Sequence, residues 1–172
     1  MSDEKPARPA KAKTKRDAWV LALVVVVGIG ALFYVNRPAK DNIGWFVDID
    51  AALASAQAAN KPVLLYFTAS WCLPCRQMAR TTWPNLAVEQ MIERSYVPLK
   101  VDMSNEDPHP VAERYEVYAL PYVILAQPDG QTIEFFEGPL SADELVGAMQ
   151  KVLDSLRDAA PEASTVASSP EG

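Results

Sequence analysis

The chain has 172 residues, of which 49% are apolar, and a formal net charge of −6 at pH 7. That length suits one ordinary domain with appendages, and the acidic balance speaks against broad electrostatic binding to nucleic acid. Only two cysteines occur, Cys72 and Cys75, which excludes the dispersed disulfide framework of a small secreted scaffold.

Lys5, Arg8, Lys11, Lys13, Lys15 and Arg16 cluster ahead of Asp17 in an Ala/Pro-rich stretch without apolar periodicity, so residues 1–17 are expected to be a disordered basic tail. Ala18 to Val35 is an uncharged apolar run of 18 residues with Trp19 and Tyr34 near its ends. As a helix it spans about 27 Å, close to the hydrocarbon thickness of a bilayer. A signal peptide has a shorter apolar region and a small-x-small cleavage site, whereas Asn36-Arg37-Pro38-Ala39 follows here, so residues 18–35 are read as an uncleaved anchor. More Lys and Arg precede the span than follow it, which places the N-terminus in the cytoplasm and the remainder of the chain on the far side, in a Gram-negative bacterium the periplasm. Residues 36–44 are expected to be linker, 45–157 the folded domain, and the Ala/Ser/Pro/Glu-rich 158–172 a disordered tail.

Within the domain, Ile49 to Asn60 predicts a helix capped by Asp48 or Asp50. Val63 to Phe67 is an unbroken apolar run, as in a strand buried on both faces. A helix is expected to start at Cys72 and to bend or break near Trp83-Pro84, with a second helical stretch from Leu86 to Arg94 and a strand from Tyr96 to Val101. Asp102 to Pro110 reads as loop and Val111 to Tyr115 as a short helix. Tyr122–Ala126 and Thr132–Phe136 are strands joined by the turn Gln127-Pro128-Asp129-Gly130. Ser141 and Glu144 have capping-box spacing and open a helix to about Arg157. This order implies an α/β fold, a mixed central sheet flanked by helices on both faces.

The chemistry lies in Trp71-Cys72-Leu73-Pro74-Cys75. Disulfide exchange needs an attacking thiolate and a second thiol near enough to resolve the mixed disulfide. C-x-x-C at a helix N-terminus supplies both, because residues i and i+3 share a face and the free N–H groups and dipole favour a thiolate on the first sulfur. Pro74 is tolerated in the first turn. Zinc needs two further ligands, and no other cysteine and only one histidine, His109, exist. No metal and no cofactor are expected. His109, between two prolines, is read as a solvated loop residue.

Lys61-Pro-Val-Leu-Leu-Tyr-Phe-Thr-Ala-Ser-Trp-Cys-Leu-Pro-Cys-Arg76 resembles the active-site strand and helix of thioredoxin-like proteins. Leu120-Pro121 is similar to the family's cis-proline, Asp129-Gly130 to its hairpin turn, and Tyr96 to Asp102 to its second central strand. The resemblance covers about Trp45 to Arg157 and is nearest to the branch that includes the C-terminal domain of the DsbD transmembrane reductase. It implies that Cys72 is an exposed nucleophile and Cys75 a more buried resolving thiol. Pro121 would lie against them, leaving backbone groups of its neighbours free for a substrate. It further implies a substrate contact by Trp71, Leu73, Pro74 and Leu120, with ordinary packing an equal reading for Trp71. The family's buried acid, six residues before the first cysteine, is replaced by Tyr66. Simple core packing is the expected role of that tyrosine, with water, Asp102 or the phenol itself as substitutes for the acid.

The leading expectation is a thiol–disulfide oxidoreductase acting on disulfide-containing proteins outside the cytoplasm. Reductase is the preferred direction, by analogy of Pro74 with reducing thioredoxins; oxidase or isomerase stay open. A reductase there needs electrons, for which a membrane carrier of the DsbD kind is the expected partner. The alternatives are a membrane-anchored binding module with inert cysteines, or a dithiol carrier of Cu(I).

Overall fold

The computed structural model of the protein describes residues 15–35, 40–105 and 109–163. The chain divides after Pro38 into two units, each described by itself.

The first unit is the helix α1 (Lys15–Val35), which begins inside the expected basic tail rather than at Ala18. Val24, Val25, Val26 and Val27 are all more than half exposed, and four consecutive residues cover most of a helix circumference. Among the described residues no helix is long and apolar enough to cross a membrane. Residues 1–14 of the expected tail and 36–39 of the expected linker lie outside the described residues.

The second unit is built on a four-stranded sheet of order β2-β1-β3-β4, formed by β1 (Val63–Thr68), β2 (Val97–Asp102), β3 (Tyr122–Ala126) and β4 (Thr132–Glu137). β1 runs parallel to β2 and antiparallel to β3, and β3 pairs antiparallel with β4. The sheet is therefore mixed, as the sequence implies. β1 is buried at every position, and its alternation divides the core in two. Val63, Leu65 and Phe67 face Ala52, Leu53 and Ala56 of α2 (Ile49–Ala59). Leu64 and Tyr66 face α3 (Leu73–Thr81), α4 (Leu86–Ser95) and α6 (Ala142–Ala163) through Met78, Val88, Ile92, Leu145, Met149 and Val152. Each such fully buried aliphatic side chain stabilises the fold by roughly 1.5–3 kcal/mol in transfer terms. The short α5 (Pro110–Arg114) adds Ala112 to the first face.

The helix boundaries follow local chemistry. Asp48, not Asp50, caps α2, accepting from the Ala51 N–H at 2.7 Å. Asn60 ends it in the left-handed conformation at φ 49°. The break between α3 and α4 falls at Thr82–Asn85, spanning Trp83-Pro84 as expected, and Asn85 caps α4 through the Ala87 N–H at 2.9 Å. Thr82, fully buried, donates its hydroxyl to the Leu140 carbonyl at 2.6 Å, fastening this break to the segment before α6. Ser141 and Glu144 form the expected capping box: the Ser141 N–H donates to the Glu144 carboxylate at 2.9 Å, and the Glu144 N–H to the Ser141 hydroxyl at 3.3 Å.

Two boundaries differ from expectation. Residues 41–44, expected to be linker, belong to the domain. Asn42 N–H donates to Glu89 at 2.8 Å, the Trp45 indole donates to Asp41 at 3.0 Å, and Ile43 and Trp45 pack on the second core face. Long-range pairing of polar side chains ties this segment down, and composition does not reveal it. α6 continues past Arg157 to Ala163 into the expected disordered tail, with Pro161 inside it; Ala159 and Ala160 favour the extension as far as that proline. Residues 164–172 lie outside the described residues.

Candidate active site

β1 delivers the chain to Ala69-Ser70-Trp71, a turn closed by the Cys72 N–H donating to the Ala69 carbonyl at 3.1 Å. Cys72 is the N-cap of α3, extended at φ −74° and ψ 108°, and its Sγ accepts from the Cys75 N–H at 3.2 Å. A sulfur takes the place of the usual hydroxyl or carboxylate oxygen, so one first-turn N–H that needs an acceptor, that of Cys75, is aimed at the reactive atom. Pro74 lies in the first turn, where its missing N–H removes nothing from the helix ladder. The two sulfurs are joined as a disulfide, with Cα atoms 5.3 Å apart.

The expectation of an exposed nucleophile needs correction. Cys72 is 4% exposed and Cys75 2%. Ala69 and Leu120 pack on the disulfide. The flanking side chains project outward instead: Trp71 is 66% and Leu73 69% exposed. Trp71 is therefore not packed into the core. Pro74 is half-buried.

The Leu120–Pro121 peptide bond is cis, as the resemblance implies. Pro121 is buried, and its carbonyl accepts from the Gly138 N–H at 2.9 Å, so that carbonyl is committed to the sheet edge. Leu120 stays half-buried between the disulfide and an open groove of about 790 Å³. Trp71, Met103, Ser104, Tyr118 and Leu120 line that groove.

Tyr66 lies beneath α3, 2% exposed, with its hydroxyl donating to the Cys75 carbonyl at 3.4 Å. Its ring sits 4.5 Å from that of Trp83 and 6.0 Å from that of Trp45, forming an aromatic layer under the cysteines. Burial pushes the phenol above its ordinary range, outweighing the opposing influence of Thr68 and Trp83. The phenol is therefore a neutral donor at physiological pH and not a base for the resolving thiol. Asp102 does not take that place either. It is exposed, committed to Ser104, and that hydrogen bonding holds its carboxyl below the ordinary range. Among the described residues no carboxylate is buried. Core packing, the expected role of Tyr66, is what it does. Trp83 Nε1 beside it is buried without an acceptor at bonding geometry.

His109 is more than a solvated loop residue. Its Nδ1 accepts from the Val111 N–H at 3.2 Å, capping α5, and the side chain lines the groove. Among the described residues no group of three or more His, Cys, Asp or Glu is placed to hold a metal ion.

Sequence reasoning missed Met103, Ser104 and Tyr118, the last 91% exposed. Asp102-Met103-Ser104 did carry a signal, since Asp followed two residues later by a polar residue is a frequent Asx turn. Tyr118 carried none, because only the fold brings it across from Trp71.

The fold and site define a thioredoxin-like domain with a Cys-x-x-Cys disulfide at the head of a helix, packed against the Leu120 that precedes a cis-proline. The chain belongs to that family: the Thioredoxin-like domain matches it over residues 49–153. It is 35% identical over 100 residues to chloroplastic thioredoxin Y1 of Arabidopsis thaliana, an overlap of 58% of this chain and 52% of that protein. It is 32% identical over 84 residues to thiol:disulfide interchange protein DsbD 1 of Pseudomonas aeruginosa, 48% of this chain and 14% of that protein. The chain thus spans about half the length of the first of these relatives and a small fraction of the second. The oxidised C-terminal domain of DsbD from Neisseria meningitidis shares the fold, with a TM-score of 0.53 at 24% identity over 63% of this chain and 98% of that domain.

Proposed function

We propose that this protein is a membrane-tethered thiol–disulfide oxidoreductase that reduces disulfides of proteins outside the cytoplasm. One observation carries the reading: the Cys72 sulfur caps its own helix and is bonded to Cys75. In the reduced state the same Cys75 N–H and the helix dipole stabilise a thiolate at Cys72. That thiolate attacks one sulfur of a target disulfide, forming a mixed disulfide and releasing the other target sulfur, which takes up a proton. Cys75, deprotonated, then attacks Cys72 Sγ and releases the second target thiol. Two electrons have passed to the target and the disulfide seen here is restored. An external dithiol must reduce it again, and a membrane carrier of the DsbD kind is the partner we infer.

The exposed apolar circumference of α1 supports the tether, and the basic residues before it support a cytoplasmic N-terminus with the domain on the opposite side. Membrane pelleting that survives alkaline carbonate extraction is the expected result, and release of the chain into the supernatant defeats the tether. The redox reading is tested by equilibrating the full chain with glutathione. A potential near the thioredoxin value of about −270 mV supports a reductase, and one near about −120 mV an oxidase.

The low exposure of Cys72 is the one observation that favours a second reading, a binding module in which the disulfide is a strut. A disulfide that resists dithiothreitol in the folded chain establishes that reading instead.

A further inference from the structure

The loop that follows β2 is fastened to the turn that precedes Cys72. The Ser70 N–H donates to Ser104 Oγ at 2.8 Å. The Ser104 hydroxyl donates to Asp102 Oδ1, and the Ser104 N–H donates to the same oxygen at 2.9 Å. A hydroxyl that gives its proton to a carboxylate becomes a better acceptor on its remaining lone pairs, so the carboxylate strengthens the grip on Ser70. The Ser70 carbonyl is held as well, accepting from Arg76 Nη1 at 3.4 Å. One residue earlier in the loop, the Met103 N–H donates to the Thr68 carbonyl at 2.8 Å, extending the β1–β2 contact beyond the ladder. Both peptide groups of the residue before Trp71 are thereby tethered. Trp71 on one side, and Met103, Ser104 and Asn105 on the other, line the groove that runs past Leu120.

We propose that Ser104 is a positioning residue: its hydroxyl, oriented by the Asp102 carboxylate, holds the Ser70–Trp71 backbone and so sets the groove at the width in which an extended target segment docks beside Cys72. This rests on the reading of the cysteines as an exchange centre. The hydrogen bonds of Ser104 run to Ser70 and Asp102 and not to either sulfur, so its influence falls on docking of a polypeptide and not on the intrinsic reactivity of the disulfide toward a small thiol.

The full-length chain in detergent, with insulin as the disulfide target, separates the two. Ser104→Ala is expected to raise the KM for insulin by about three- to ten-fold, the range set by loss of one or two hydrogen bonds. The rate at which dithiothreitol reduces the Cys72–Cys75 disulfide is expected to stay within about two-fold, since no contact to sulfur is lost. Ser104→Thr, which keeps the hydroxyl, restores the KM. An unchanged KM in Ser104→Ala, or a parallel loss of both readings, overturns the proposal. An unaltered chain whose disulfide exchanges with dithiothreitol but which reduces no insulin removes the docking role and leaves the exchange centre standing. One that exchanges with neither removes both. Should Ser104→Ala fail to fold, hydrogen exchange of the Ser70 amide in the unaltered chain decides. Slowing by at least about five-fold over the unstructured rate is expected for a hydrogen-bonded amide, and exchange at the unstructured rate overturns the proposal.

Discussion

Cys75 donates its backbone N–H to the sulfur of Cys72 across 3.2 Å, so the residue proposed to carry the chemistry is also the cap of the helix it heads. Charge at that sulfur and order in the first turn of α3 are therefore one interaction seen from two ends. Cys72→Ser is expected to lower protein-disulfide turnover by at least about 10³-fold, as removal of a nucleophile does. The serine oxygen keeps the capping geometry, so the fold is retained. Cys75→Ser leaves the attack intact and blocks its resolution. Non-reducing electrophoresis is expected to show this variant as a covalent adduct with its target, and absence of the adduct would place the nucleophile elsewhere.

Burial pushes the phenols of Tyr66, Tyr96 and Tyr115 above their ordinary value, with the Glu134 charge adding to the effect at Tyr96. A phenol whose folded pKa exceeds its unfolded one contributes stability that is complete below the unfolded value, about 10, and is lost as pH rises toward the folded value. Denaturant unfolding is therefore expected to show stability falling steeply above pH ~10. Tyr66→Phe should cost about 1 kcal/mol at neutral pH through its hydrogen bond to the Cys75 carbonyl, and then lose less than the parent on going alkaline. A parent whose stability is flat across that range contradicts the assignment.

Gly130 closes the β3–β4 hairpin at φ 89°, where a Cβ would lie 2.9 Å from the Tyr115 hydroxyl and 3.1 Å from Leu53 Cδ2. The tyrosine cannot retreat freely, since its hydroxyl donates to the Gly130 carbonyl at 3.0 Å. Gly130→Ala is expected to destabilise by about 1–3 kcal/mol through the strained backbone and the contact together. Thermal unfolding measures this directly, and a variant as stable as the parent would show that the turn relaxes.

The capping box of α6 gives an acid-side counterpart. Hydrogen bonds from Ser141 hold the Glu144 carboxyl below its ordinary range. A carboxylate with a depressed folded pKa stabilises the fold above the unfolded pKa and loses that contribution as pH falls through the folded one. Glu144→Gln is thus expected to lower Tm at neutral pH, with the gap to the parent closing below pH ~4. A gap that persists in acid would assign the effect to something other than charge.

Much of the site was legible because its chemistry is local. Cys-x-x-Cys spacing, Pro74 in the first turn and the apolar run of β1 each act over a few residues, and all three stand where expected. Leu120-Pro121 was also readable, through its place before the hairpin. Other features depend on residues far apart in the chain. Asp41 to Trp45 joins the domain through Glu89 and the aromatic layer of Tyr66 and Trp83. Ser104 reaches Ser70 across 34 positions of sequence. Hydropathy and spacing do not encode such pairings, because nothing near either residue in sequence marks its partner until the sheet brings the two together.

The sequence by itself determined the redox pair, the helix it heads and the mixed sheet behind it, since helix-capping, proline geometry and the alternation of buried strands are properties of short segments. Tertiary structure alone decided how enclosed the disulfide is, that Tyr66 serves as a neutral donor and not a base, and which side chains form the groove. Burial and long-range hydrogen bonding set those outcomes, and both exist only once distant parts of the chain have closed around one another.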